Sequence, residues 1–238
     1  MKGYAIAILV CCCAVLGSCS KEDKLPEIRP AASGTYTDER DANTYEWIRV
    51  GNLEWMTSNL KYYETAPYYE CTYNVLGVPC AVSVYTTTNL EADYEEYGNF
   101  YTWEEAKALC PEGWRLPTDE DWKDLEMALG MSERDANAEG WRGDREATLL
   151  RQGKDGLGMN LRLAGNVSNS NRYAGAGLNL WLTFVGESGY YWTATESDKL
   201  STPNVWFRKI FADYETVYRG VTTLNKLMRV RCCRDAGK

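Results

Sequence analysis

The sequence predicts an α+β domain in which two short helices pack on small twisted antiparallel sheets joined by long loops. Three observations carry that expectation. Thr102-Trp103-Glu104-Glu105 and Thr118-Asp119-Glu120-Asp121 are capping boxes sixteen residues apart, each opening an amphipathic segment. From residue 159 onward, glycine-rich pieces separate six short segments of strand character. The roughly 200 residues beyond a charged N-terminal stretch suit a single domain with a sizeable core.

The chain opens with Lys2 and an apolar or small run over residues 4–17, the charged and hydrophobic parts of a secretory signal. That run falls short of the roughly 20 residues a membrane-spanning helix needs, and charge resumes at Lys21. Leu16-Gly17-Ser18-Cys19 has the form of a lipobox, with an aliphatic residue, two small residues and an acceptor cysteine. Cys11, Cys12 and Cys13 lack the small neighbours that the motif requires. Residues 1–18 are therefore expected to be a lipoprotein signal peptide, with Cys19 as the site of lipid attachment and of contact with the membrane. Ser20-Lys21-Glu22-Asp23 resembles the lysine-plus-acid tag of surface-exposed lipoproteins of the Bacteroidetes type, so the expected location is the outer membrane, on its exposed side. Residues 19–34, charged and proline-bearing, read as a flexible tether, and residues 35–235 as the domain.

In the domain, alternation over Tyr45-Glu46-Trp47-Ile48-Arg49-Val50, the turn Gly51-Asn52 and Leu53-Glu54-Trp55-Met56 predict a hairpin. Residues 61–101 are dense in tyrosine and read as an irregular aromatic layer. Within it, the spacing of Cys71 and Cys80 permits a closed loop, and a disulfide is expected there. The first capping box predicts a helix over about 103–110, ended by Pro111-Glu112-Gly113. The second opens a helix whose Trp122, Leu125 and Leu129 share one face, closed by Gly130. Residues 132–145 are charged and aperiodic apart from Trp141 and read as an insertion or mobile loop, and residues 147–152 as one helical turn. Strands are expected at 159–163, 178–185, 189–194, 205–212, 216–221 and 228–232.

Composition narrows the chemistry. Removal of residues 1–18 takes away only Lys2, leaving 25 basic side chains against 34 acidic ones, a net charge of −9, with no basic run. That disfavours nucleic acid as a partner. The chain has no histidine, which removes the usual zinc sites and every Ser-His or Cys-His nucleophile. The acids Glu91, Asp93, Glu95 and Glu96 read as a solvated loop, and Asp119, Glu120 and Asp121 as a helix N-terminus stabilised by its dipole. No cofactor or metal is expected.

Several strings, taken together, resemble one family. They are Trp55-Met56 with Asn59-Leu60, Tyr101-Thr102-Trp103 with Ala106, Cys110-Pro111-Glu112-Gly113-Trp114-Arg115-Leu116-Pro117-Thr118, Tyr191-Trp192-Thr193-Ala194-Thr195-Glu196, and Val230-Arg231-Cys232. The chain resembles the major paralogous domain first named for Fibrobacter succinogenes, a C-type-lectin-like module of exported bacterial proteins. The resemblance implies a C-type-lectin-like fold over most of the mature chain. The same residues suggest a staple between Cys110, at the end of the first helix, and Cys232 in the last strand. If that strand alternates, Val230 and Cys232 face the core, Arg231 and Cys233 face outward, and Cys233 is the odd thiol.

The calcium-dependent lectins of this fold carry a Glu-Pro-Asn or Gln-Pro-Asp loop and a Trp-Asn-Asp strand. Here Pro203-Asn204 lacks the preceding acid, and Val205-Trp206-Phe207-Arg208 lacks acids to complete an oxygen cage. The expected function is non-catalytic, a surface-anchored binding or adhesion domain for a glycan or a protein. A structural or accessory subunit of a fimbria-like surface assembly is the alternative. The resemblance directs attention to residues 166–179 and 197–204, the loops between the last strands. Asn169, Asn171, Arg172 and Tyr173 are the candidate polar contacts, and Trp181 and Trp206 the candidate aromatic ones. Trp141 is a further aromatic outside the family strings. Trp55, Trp103, Trp114, Trp122 and Trp192 are expected in the core.

Overall fold

Both threonine caps close as the sequence requires. In the computed structural model, which describes residues 27–63, 82–85, 95–169 and 178–237, Thr102 accepts from the Glu105 amide while the Glu105 carboxylate accepts from the Thr102 amide. Thr118 and Asp121 exchange the same pair of bonds. They open α1 (Trp103–Ala108) and α2 (Asp119–Ala128). α1 stops at its C-cap Leu109, so Cys110 lies just beyond the helix.

The architecture is mixed α+β, with mainly antiparallel pairing. β1 (Ala32–Thr37), β2 (Thr44–Val50), β3 (Leu53–Met56) and β11 (Cys233–Asp235) form one sheet in that order. β1 begins inside the stretch that reads as tether, and the Ala31 amide already donates to the Arg49 carbonyl. The second sheet has the order β4-β7-β6-β8-β9-β10-β5. Its strands are β4 (Val82–Tyr85), β5 (Gly140–Arg142), β6 (Ala164–Asn169), β7 (Leu178–Val185), β8 (Ser188–Ser197), β9 (Asn204–Phe211) and β10 (Val217–Thr223). Residues 159–163, expected as a strand, instead approach β6 as irregular chain, with Met159 and Leu161 buried.

The stretch 132–145 is not a loop. Ser132 caps a short helix α3 (Glu133–Asn137), accepting from the Asp135 amide, and β5 follows as the edge strand of the larger sheet. Its charged surface hid a single apolar anchor, Ala136, and a strand too short to show alternation. The turn expected at 147–152 is α4 (Glu146–Arg151). Gly143 joins β5 to α4 at φ +84°, and a Cβ there would stand 2.2 Å from Glu146 Oε2, so only glycine fits.

β8 separates two cores by simple alternation. Tyr191 faces a cluster with Trp55, Trp122, Leu125 and Ile210, while Trp192 faces a cluster with Trp103, Trp114, Phe207 and Val230. All five tryptophans expected in the core are there. Cys110 is bonded to Cys232, Cα atoms 6.1 Å apart, which ties the C-terminal segment to α1.

The expected alternation of that segment fails. Arg231 and Cys233 are fully buried, because the face that should meet solvent is covered by β3 and residues 159–160. Arg231 Nη1 donates to the carbonyls of Met56 and Met159, and Nη2 to that of Asn160. Cys233 is the free thiol, and burial pushes its pKa up, leaving it uncharged.

Candidate functional site

Three strands of the larger sheet share one pattern. On β5, Trp141 precedes Arg142; on β9, Arg208 precedes Lys209; on β10, Tyr218 precedes Arg219. Because consecutive strand residues point to opposite faces, each pair divides between the inner face of the sheet, against α2, and the outer face.

On the inner face the three guanidinium groups meet two carboxylates of α2. Arg208 Nη1 lies 2.6 Å from Asp119 Oδ1 and Arg208 Nε 2.8 Å from Glu126 Oε1. Arg219 Nη2 lies 2.6 Å from Asp119 Oδ2, and Arg142 Nη2 2.6 Å from Glu126 Oε2. All five side chains are buried. Burial pushes the Asp119 carboxyl up, but the hydrogen bonds and charges of Arg219 and Arg208 outweigh it and hold the pKa below the usual carboxylate range. Arg219 also donates to the Asn137 carbonyl, which ties α3 to the cluster. Asp119, expected as a helix N-terminal acid stabilised by the dipole, is also an ion-pair hub. Asp121, which makes the capping box, pairs with Arg115.

On the outer face, register aligns the partners of those arginines in one row across four strands. Tyr190 on β8 is opposite Lys209, Lys209 is opposite Tyr218, and Tyr218 is opposite Trp141. Phe211 and Tyr214 extend the row toward the β9–β10 turn, their ring centroids 5.6 and 4.4 Å from that of Trp141. Trp141 is 36% exposed and Tyr214 47%.

The Lys209 ammonium sits among the rings, 4.2 Å from the centroid of Tyr218, 5.1 Å from Trp141, 5.4 Å from Phe211 and 5.9 Å from Tyr190. Among the described residues it has no carboxylate partner and no hydrogen bond, and burial alone lowers its pKa from the ordinary lysine value. The rings supply the compensating interaction. The turn is held from behind by Arg151 of α4, whose Nη1 donates to the carbonyls of Phe211 and Ala212 at 2.6 Å each. Charged groups on the inner face and a guanidinium under the turn thus hold the outer row in place.

Of the contact residues expected from sequence, Asn169, Trp181 and Trp206 lie among the described residues, the first two on the paired strands β6 and β7. Trp206 is half-buried on the inner side of β9, one face covered by the Arg219 guanidinium 3.7 Å away. Trp181 lies on β7, its backbone opposite Ser168 and Tyr85, and Asn169 ends β6 opposite Leu180. Asn171, Arg172, Tyr173, Cys19, Cys71 and Cys80 lie outside the described residues. Residues 198–203 form an exposed loop, with Lys199 paired to Glu139.

Apart from the row, a concavity of about 600 Å³ lies between β1, β2 and residues 154–158, with Trp47 in its wall. Its cations are paired, Arg29 with Glu27 and Lys154 with Glu46, which leaves it less directed than the row. No cluster of His, Cys, Asp or Glu able to hold a metal ion occurs among the described residues, and no helix among them is long and apolar enough to cross a membrane.

A family model described as the Fibrobacter succinogenes major domain matches residues 48–234, a span that includes both sheet faces described above. No curated protein and no solved structure matches the chain. The strings that carry the resemblance build the two cores and the disulfide; none of them contains Trp141, Lys209 or Tyr218.

Proposed function

Given that the chain belongs to the Fibrobacter succinogenes major domain family, we propose that it is a non-catalytic recognition domain of C-type-lectin-like architecture, held at the outer membrane by lipid on Cys19 and displayed to the exterior. The observation that carries the recognition reading is the row Tyr190-Lys209-Tyr218-Trp141, a cation set among half-buried tyrosines and opening to solvent at Trp141 and the neighbouring Tyr214. Aromatic faces left in solvent at a rigid position suit ligand contact, since they offer large apolar area at little entropic cost on binding. The ligand is a glycan, whose C–H faces pack on such rings, and the contact surface is this sheet face rather than the loops at 166–179 and 197–204.

The lectin-like architecture is supported by two capped helices, predominantly antiparallel sheets and a terminal segment stapled to the first helix. Anchoring is supported by the lipobox at Leu16-Gly17-Ser18-Cys19.

A glycan array probed with the full chain and with Trp141→Ala tests the recognition reading. Glycans retained by the native chain and lost by the variant support it, and an array on which the two behave alike rejects this face as the site. Palmitate labelling abolished by Cys19→Ala, and cleavage by protease added to intact cells, test the anchoring and display.

A further inference from the structure

Resting on that recognition reading, we infer that the ligand is a glycan carrying carboxylates, with Lys209 as the group that pairs with one of them and the exposed part of Trp141 as the surface against which the sugar ring packs, flanked by Tyr214, which meets Trp141 edge-on at 81°. A lysine ammonium is strongly hydrated, and placing it among four rings without an anion removes water that the rings only partly replace. Most other cations near this face already have partners. Arg142, Arg208 and Arg219 are committed to Asp119 and Glu126, and Arg151 to the carbonyls of the β9–β10 turn. Lys209 is the one cation of the sheet face left for an incoming anion among the described residues.

The acids near the row do not fill that role. Asp213 and Glu215, at the turn, act with opposite sign to burial on Arg151, and among the described residues no carboxylate lies within ion-pair distance of Lys209. An anion that reached the ammonium would gain a charge-assisted bond in a partly desolvated setting, where such bonds are strongest. The overall formal charge of −8 opposes an anionic ligand at long range. At physiological salt that field is screened beyond about 8 Å, so the local contact decides.

A uronic-acid residue combines what the two features of the face call for, an apolar ring face against Trp141 and a carboxylate for Lys209. A peptide with aromatic and acidic side chains shares the charge but lacks the stack of C–H bonds that a pyranose presents, and the glycan is therefore preferred.

The test uses the full chain and matched pairs of polysaccharides, polygalacturonate, alginate and hyaluronate, each beside its carboxyl-reduced neutral form. The expected result is that the native chain binds at least one acidic member roughly tenfold or more tighter than its neutral partner, the scale of one charge-assisted hydrogen bond. Lys209→Met should abolish that preference at an unchanged thermal midpoint, and Lys209→Arg should restore part of it. Binding of acidic and neutral members with equal strength, or a preference that survives Lys209→Met, overturns this inference while leaving glycan recognition standing. Binding to none of the six polysaccharides, with retention of an acidic aromatic peptide instead, overturns both.

Discussion

Arg208 and Lys209 are adjacent on β9 and face opposite environments, the guanidinium bonded to Asp119 and Glu126 in the interior and the ammonium set among aromatic rings at the surface. The same division recurs at Trp141 and Arg142 and at Tyr218 and Arg219, so three of the four strands of the outer row, β5, β9 and β10, are pinned from their inner side. One helix, α2, supplies both carboxylates. The outer row and its inner support are thereby coupled through single peptide bonds.

Loss of the inner pairing should be expensive. Arg208→Ala leaves Glu126 and Asp119 each short of a partner in a buried site, and truncation of one member of such a network costs about 3–5 kcal/mol. Urea unfolding of the native chain and the variant measures it. A change below about 1 kcal/mol, the scale of an exposed pair, would mean that the cluster is solvated.

Acid should weaken the fold through the same cluster. Asp119 has a folded pKa below its ordinary value, so its contribution is fully present above the unfolded pKa, about 4, and is lost as pH falls through the lower folded value. Unfolding free energy should fall steeply below about pH 4. Asp119→Asn should flatten that limb while lowering stability at neutral pH. An acid limb with unchanged slope in the variant would assign the effect to other carboxylates such as Glu54 and Asp121, whose pKa values are also held low, by Arg49 and Arg234 and by Arg115 against the opposing effect of burial.

Arg151 should govern the order of the turn rather than global stability. Arg151→Ala removes the donors to the Phe211 and Ala212 carbonyls, and amide exchange over residues 211–217 should accelerate at a cost of roughly 1–2 kcal/mol. Exchange that stays slow there would show that the turn is held without it.

The two adjacent cysteines should behave oppositely. Replacement of Cys110 and Cys232 by serine opens a loop of sequence separation 122, for which the chain-entropy model gives about 4 to 5 kcal/mol. Cys233 is buried and its thiol is kept protonated by burial, so peptide mapping should find it unalkylated in the native protein and alkylated only in denaturant.

Local signals in the sequence located the scaffold. The capping boxes at Thr102 and Thr118 fix two helices within a few residues, and the tryptophans of the family strings fall in the two cores, because caps and amphipathic faces depend on near neighbours. The row was not legible. Its Trp141 stands out only as an isolated aromatic, and its alignment with Tyr218 depends on the pairing of β5 with β10, strands more than seventy residues apart. Asp119 likewise reads as an ordinary first-turn acid until Arg208 and Arg219 arrive from distant strands. The outward face expected for Arg231 and Cys233 failed for the same reason, since β11 begins only at Cys233 and what covers the extended segment before it is set by elements remote from it.

Amide exchange of the full chain with and without a retained glycan tests most directly whether the sheet face is the recognition surface. Slowed exchange confined to residues 140–142 and 209–218 is predicted. Protection at residues 198–203, with the strands of the row unchanged, would contradict it.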